Sequence, residues 1–177
     1  MATTPKKPVA RLEVKKTYKL YINGAFPRSE SGRVYEVLTS KGSSVANPSL
    51  ASRKDLRDAV VAARTAQSGW AKATAYNRGQ ILYRIAEMLE GRTDQLAIEI
   101  SLATGVTSKK ARDEVLAAID RWVWMAGWSD KLSAAFGSTN PVSGPYYNFT
   151  IPEPLGVIAV APAESFLAFI DAIAPAI

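Results

Sequence analysis

The 177-residue sequence contains no cysteine and no histidine. Together these absences remove thiol nucleophiles, imidazole bases and the two commonest zinc ligand types. Few covalent or acid–base mechanisms are left to the chain by itself, and no metal site is expected. The lack of cysteine fits a reducing compartment without establishing one, and a cytoplasmic location is the expectation. Residues 1 to 20 also lack an apolar core of signal-peptide length.

Acidic residues are in the minority, giving a formal charge of +6. Residues 1 to 18 carry Lys6, Lys7, Arg11, Lys15 and Lys16 against Glu13 alone, a net +4, which leaves +2 for the remainder. This stretch, with Pro5 and Pro8, reads as a basic, disordered tail over 1–17 rather than as a nucleic-acid-binding arm. No aromatic residue precedes Tyr18, so a platform for stacking bases is missing. Nucleic-acid binding through the tail is the least favoured reading; it would show as affinity that falls steeply with salt.

What is present is globular in character: 47% hydrophobic and 21% charged residues, over a length suited to one ordinary domain. Tyr18, Leu20 and Ile22 alternate with polar neighbours before Asn23-Gly24, the pattern of a strand entering a tight turn. Residues 27 to 51, rich in Ser, Gly and Pro, predict a connection with a short strand near Val34 to Leu38.

Helical periodicity begins after Ser52, which with Asp55 three residues on has the spacing of a capping box. Leu56, Val60, Ala63, Gln67 and Trp70 share a face of this first helix. A second runs from about Tyr76 to Glu90, with Ile81, Leu82, Ile85 and Leu89 at spacings of three and four, and Gly91 is placed to end it in a left-handed cap. Thr93 is the expected cap of a third helix carrying Leu96, Ile100 and Ala103, closed by Gly105. The fourth starts near Thr107 or Ser108 and lines up Ala111, Val115, Ile119, Trp122 and Ala126.

Ser, Gly, Asn and Pro then crowd residues 133 to 145, and Tyr147, Phe149 and Ile151 alternate as a strand of a hairpin or meander. Residues 155 to 160 form a continuous apolar run suited to a central parallel strand, and Phe166, Phe169, Ile170 and Ile173 mark a final helix ending near Pro175. A βα unit at 155–174 with no following strand would leave backbone donors and acceptors unpaired, so the natural domain is expected to continue past Ile177. A membrane span over 155–177 is disfavoured: Glu164 and Asp171 would each cost about 2.5 kcal/mol or more near a bilayer centre.

Tyr21–Phe26 (YINGAF), the helix ending in Trp70, the run from Arg78 through ILYRIAEMLE, Thr104-Gly105, Glu114-Val115 and PEPLGVIAVAP at 152–162 occur in an order and spacing that resemble the N-terminal portion of the aldehyde dehydrogenase superfamily. The resemblance covers about residues 18 to 177, and PEPLGV is its most specific piece. It implies an α/β fold: four helices, the first strand of a Rossmann-type domain, and strands of an oligomerisation sheet. Residues 18–26 and 140–152 would belong to that sheet, with 27–139 and 153–177 forming an incomplete cofactor-binding domain.

The resemblance also implies chemistry. In the family an activated Cys attacks the aldehyde, hydride passes to NAD or NADP, and a Glu-activated water releases the acid; both residues fall past position 177. The chain alone is therefore expected to be inactive, with an aldehyde as substrate and homo-oligomerisation as properties of the full-length enzyme. No catalytic residue is assigned within the chain. The cofactor wall would map onto Val160, Ala161, Pro162 and Ala163, which serve equally well as plain strand-to-helix packing. The family's oxyanion-hole Asn, from a Pro-Trp-Asn-Phe motif, falls on Ala163 or Glu164. Ala163 has no polar group and an ionised Glu164 would repel the oxyanion; loss of one such donor costs about 10²- to 10³-fold in rate. The departure implies either a divergent branch that takes its donor from backbone amides or one that has lost activity.

Other constellations read as structural. Asp113, Glu114 and Asp120 distribute charge around the solvent side of the fourth helix, and Trp122, Trp124 and Trp128 suit core or subunit-interface packing. The reading from a different class is a non-catalytic interaction module that retains the helices and the oligomerisation strands.

Overall fold

Helix α1 (Arg53–Lys72) starts where its sequence says it must. Ser52 sits in extended backbone with its Oγ accepting from Asp55 N–H at 3.2 Å, while Asp55 Oδ2 accepts from Ser52 N–H at 2.7 Å. Reciprocal satisfaction of two otherwise unpaired helix-end donors is the physical content of the capping box. Helix α2 (Ala75–Glu90) is capped by Thr74, whose hydroxyl accepts from Asn77 N–H at 3.2 Å. Helix α4 (Ser108–Trp128) is capped in the same way by Thr107, which accepts from Lys110 N–H at 3.3 Å. These helices belong to a computed structural model that describes residues 15–39, 41–161 and 165–177.

The link between α2 and helix α3 (Thr93–Thr104) departs from expectation at both of its punctuating residues. Gly91 is right-handed, with φ −62°, and Arg92 rather than Thr93 precedes the first residue of α3. The two helices are joined too tightly for a left-handed cap: Gly91 N–H reaches Glu87 O at 3.1 Å and Arg92 N–H reaches Leu89 O at 2.9 Å. Thr93 turns its hydroxyl backwards to donate to Glu90 O at 2.8 Å, so it ties α3 to α2 instead of capping α3. Gly105, by contrast, closes α3 with φ 77°, the left-handed conformation that glycine adopts without steric cost.

The core lies between α2, α4 and helix α6 (Phe166–Ile173). Leu82 and Ala86 of α2, Ala118 and Trp122 of α4, and Ile170 of α6 form one buried cluster with Ala174. On α4, Ala111, Val115 and Trp122 of the expected stripe are buried. Small residues at the crossing allow close approach: a Cβ added to Gly79 of α2 would lie 2.5 Å from Ser129 Oγ and 3.1 Å from Ala126 O. The stripe of α1 has a different fate, with Leu56 64% exposed and Asp55 the helix's buried residue.

Two small sheets flank the helices. Strand β1 (Lys16–Tyr18) runs parallel to β3 (Ser44–Pro48), and β2 (Val37–Leu38) pairs antiparallel with the other side of β3. Ala46, opposite both Lys16 and Val37, is buried. The end of the expected disordered tail is therefore ordered as β1, because β3 offers it a ladder and Glu99 meets Lys16 at 3.9 Å. Residues 1–14 lie outside the described residues. Asn23 (φ 52°) and Gly24 (φ 73°) form the expected tight turn, closed by paired bonds between Ile22 and Ala25 at 3.0 and 3.1 Å; two successive left-handed residues match the twist of a hairpin.

A short helix, α5 (Leu132–Phe136), enters the segment read as irregular from the sequence. Strands β4 (Ser138–Thr139) and β5 (Phe149–Thr150) then form an antiparallel hairpin, as the alternation around Phe149 requires. It is a separate sheet from the one containing β1. Residues 155–160, read as a central parallel strand, have no strand beside them among the described residues and belong to no ladder. An apolar run becomes a strand only when neighbours accept its backbone bonds. Leu155 accordingly stands 97% exposed. After α6 the chain finishes in a 3-10 turn over Ala174–Ala176 that contains Pro175.

Candidate functional site

The irregular run 156–160, α1 and the end of the 3-10 turn line an open cleft of about 540 Å³. One wall is Gly156, Val157, Ile158 and Val160. Ala63, Ala66, Gln67 and Trp70 of α1 form the facing wall, with Ile173, Ala176 and Ile177 at the end. Helical spacing on α1 places Ala63, Gln67 and Trp70 on one face, so the stripe legible in the sequence is half of the cleft. Gly156 contributes through its backbone: at φ 119° it holds a conformation that side chains rarely adopt.

Of the four residues expected to form a cofactor wall, Val160 is half-buried and lines the cleft, and Ala161 is exposed and outside the lining. Pro162 and Ala163 lie outside the described residues, as does Glu164, so both positions matching the family's oxyanion donor fall there too. The cleft contains the Gln67 amide as a polar side chain, while the Trp70 indole N–H is committed to Ile177 O at 2.7 Å. No titratable side chain lines it. Such a surface can bind an apolar or aromatic ring but cannot move a proton. It has neither the cations nor the glycine-rich loop that a pyrophosphate needs.

Next to the cleft, α6 is fixed at its N-terminus by two side chains. Ser165 Oγ accepts from Ala168 N–H at 3.1 Å, and Glu114 Oε1 of α4 accepts from Leu167 N–H at 3.0 Å. A carboxylate at a helix N-terminus satisfies an unpaired donor and faces the positive end of the helix dipole. Two turns further along α4, Arg121 Nε lies 2.5 Å from Asp171 Oδ1 of α6. That contact is an ion pair without hydrogen-bond alignment, since the same Nε is buried and otherwise unpartnered. Sequence reasoning placed Glu114 on the solvent side of α4, and the structure corrects it. The available signal was its position beside Val115 on the apolar stripe, where a carboxylate has to find a partner.

Asp55 has the most perturbed ionisation. Hydrogen bonds from Ser52 N–H and the Ser29 hydroxyl, with a further one from Glu30 N–H, lower its pKa from 3.8 to about 2 against the opposing effect of desolvation. It lies outside the cleft and its partners are structural: it ties the turn at Ser29 and Glu30 to the start of α1 at 2.8 and 3.1 Å. Trp122 is core, and Trp124 and Trp128 meet at the end of α4 with ring centroids 6.1 Å apart. Among the described residues, no group of three or more His, Cys, Asp or Glu could hold a metal ion, and no helix is long and apolar enough to cross a membrane.

Comparison with known proteins gives this geometry a family. Residues 26–177 match the aldehyde dehydrogenase family. Human retinal dehydrogenase 2 is 36% identical over 177 residues, covering 96% of the chain and 33% of the relative. Human mitochondrial 10-formyltetrahydrofolate dehydrogenase is 34% identical over 162 residues, covering 87% of the chain and 17% of the relative. Among solved structures, PnpE in complex with nicotinamide adenine dinucleotide superposes with a TM-score of 0.74 at 28% identity, covering 78% of this chain and 28% of that one. The NAD-dependent aldehyde dehydrogenase from Sinorhizobium meliloti gives 0.68 at 27% identity, covering 80% and 28%. The chain thus spans a third or less of the length of these relatives. It belongs to the aldehyde dehydrogenase family and corresponds to an N-terminal portion of it.

Proposed function

We propose that the chain forms the N-terminal part of an NAD- or NADP-dependent aldehyde dehydrogenase that oxidises an aldehyde to a carboxylic acid, and that it does not turn over by itself. The observation carrying this reading is the family match over 26–177 combined with the apolar wall that Val160 contributes to the cleft. Bound NAD or NADP would supply the hydride acceptor. Val160 and Ala161 would present backbone and small apolar surface beside its nicotinamide ring, and Pro162 and Ala163, outside the described residues, complete the proposed wall. The Trp70–Ile177 bond holds the far end of the cleft, and Glu114 sets the direction in which α6 leaves that wall.

The nucleophile must come from elsewhere, because a chain with no cysteine cannot form a thiohemiacetal. Residues 18–26 and 140–152 are proposed as oligomerisation surfaces, a role supported by exposed Tyr146 and Tyr147 before β5 and Phe149 within it, and a cytoplasmic location is proposed on the same reading. The test is an NAD- and NADP-linked aldehyde oxidation assay on the 177-residue chain and on the product of the reading frame extended past Ile177. Turnover by the longer product and none by the chain is the expected result. A stop codon at 178 with a soluble, inactive chain would leave the non-catalytic interaction module in its place.

A further inference from the structure

Beyond residue 18 the chain carries a net charge of +2, and Lys19, Arg28 and Arg33 alone contribute three positive charges. All three line one cleft of about 270 Å³, whose other walls include Thr17, Ser29 and Ser49. No carboxylate lines it, and none of the three cations has an ion-pair partner among the described residues. Lys41, Arg53, Arg64, Lys72 and Lys110 also have no ion-pair partner among the described residues, but none of them lines this cleft, which brings three such cations together. Lys16, Lys54, Arg84, Lys109 and Arg121 each reach an acidic side chain.

The backbone presenting these cations is held in place. Leu20 N–H bonds to Pro27 O at 3.1 Å, Gly32 N–H to Ser29 O at 2.9 Å, and Leu50 N–H to Arg33 O at 2.8 Å. Ser29 is buried, with its hydroxyl donating to Asp55 at 2.8 Å. The nearby acids are already engaged, Glu30 by Lys54 at 3.6 Å and by the Ser52 hydroxyl at 3.3 Å, and Asp55 by its capping partners. Three unpaired cations around a preformed hollow repel one another until an anion enters.

We propose that this cleft binds a phosphate group, carried either as inorganic phosphate or as a small phosphate monoester. Two guanidinium forks can each take two oxygens of a tetrahedral dianion, and Lys19 adds a point charge. The volume falls below the roughly 300–1,000 Å³ of pockets that enclose drug-sized ligands, which suits one phosphate group and not a whole dinucleotide. The site is independent of the aldehyde-oxidising reading and lies on different residues from the apolar cleft.

The test is a ¹H–¹⁵N NMR titration of the 177-residue chain with inorganic phosphate, at constant ionic strength and against matched sodium chloride. Saturable shifts at the Gly32, Arg33 and Ser49 amides are expected. Arg28→Gln and Arg33→Gln should each weaken binding about tenfold, the scale of one charge-assisted contact, and Arg28→Lys, which keeps the charge but loses the fork, should fall between. Lys109→Gln, on the far side of an ion pair with Asp113, should bind as the parent does. These side chains are exposed and unpartnered, so unchanged spectra away from the cleft verify the fold. Shifts that never saturate, that chloride reproduces, or that survive both glutamine variants overturn the site. A parallel titration with glycerol phosphate separates the two sources, tighter binding pointing to a monoester and equal binding to the free ion.

Discussion

Glu114 on α4 accepts a hydrogen bond from the backbone N–H of Leu167 on α6 at 3.0 Å, across 53 residues of sequence. Helix α6 therefore receives part of its N-terminal cap from another helix. Glu114→Ala leaves a part-buried donor unsatisfied and should lower stability by about 1–3 kcal/mol in urea denaturation. Glu114→Gln keeps an acceptor oxygen and should recover most of that loss. Equal stability of all three proteins would remove the tie from the account.

Asp55 sets a pH limit. Its carboxyl titrates near pH 2 in the folded chain and near 3.8 when unfolded, so its ionised form favours folding. The contribution is complete above about pH 4 and is lost as pH falls through 2. A ¹³C NMR titration should place the Asp55 carboxyl midpoint near 2, and Asp55→Asn should flatten the stability profile between pH 4 and 2. A midpoint near 4 would mean that the Ser52 and Ser29 donors do not hold the charge.

Two glycines that look alike in sequence should respond oppositely to alanine. At Gly105, with φ 77°, a side chain costs about 1–2 kcal/mol. At Gly91, with φ −62° and its nearest foreign atom 3.8 Å from an added Cβ, alanine is tolerated and should stabilise by about 0.4–1 kcal/mol. Thermal unfolding midpoints of the two variants should move apart from the parent in opposite directions.

Gly79 is required for a different reason, the closeness of α2 to Ser129 and Ala126. Gly79→Ala should destabilise by about 1–3 kcal/mol through overpacking. Ser129→Ala removes the nearer of the two obstructing atoms and leaves the Ala126 carbonyl, so the double variant should be less destabilised than the sum of the singles. Strict additivity would show that Ser129 moves aside freely.

The helices were legible in the sequence because their signals are local. Ser52 with Asp55, Thr107, and Gly105 act within a few residues of themselves, and the stripe from Ala111 to Trp122 needs only a helical period to be read. Signals that depend on distant partners were not legible. Residues 155–160 have an apolar run but no strand beside them among the described residues, and Thr93 reads as a cap until Glu90 is seen beside it. The site followed the same division: the family resemblance pointed to Val160, which lines the cleft, while Glu114 gained its contact from α6, folded 53 residues away.

The irregular stretch from Ile151 to Ala161 also has a bearing on how the protein survives contact with proteases. A protease binds its substrate as an extended strand, which a helix must unfold to supply, whereas this stretch belongs to no helix or ladder and presents Leu155 fully. Brief treatment with chymotrypsin should cut at exposed Tyr146, Tyr147 and Leu155 well before any scission inside α2 or α4, and α6 should stay with the helical body after the cut because Ile170 and Ala174 belong to its core.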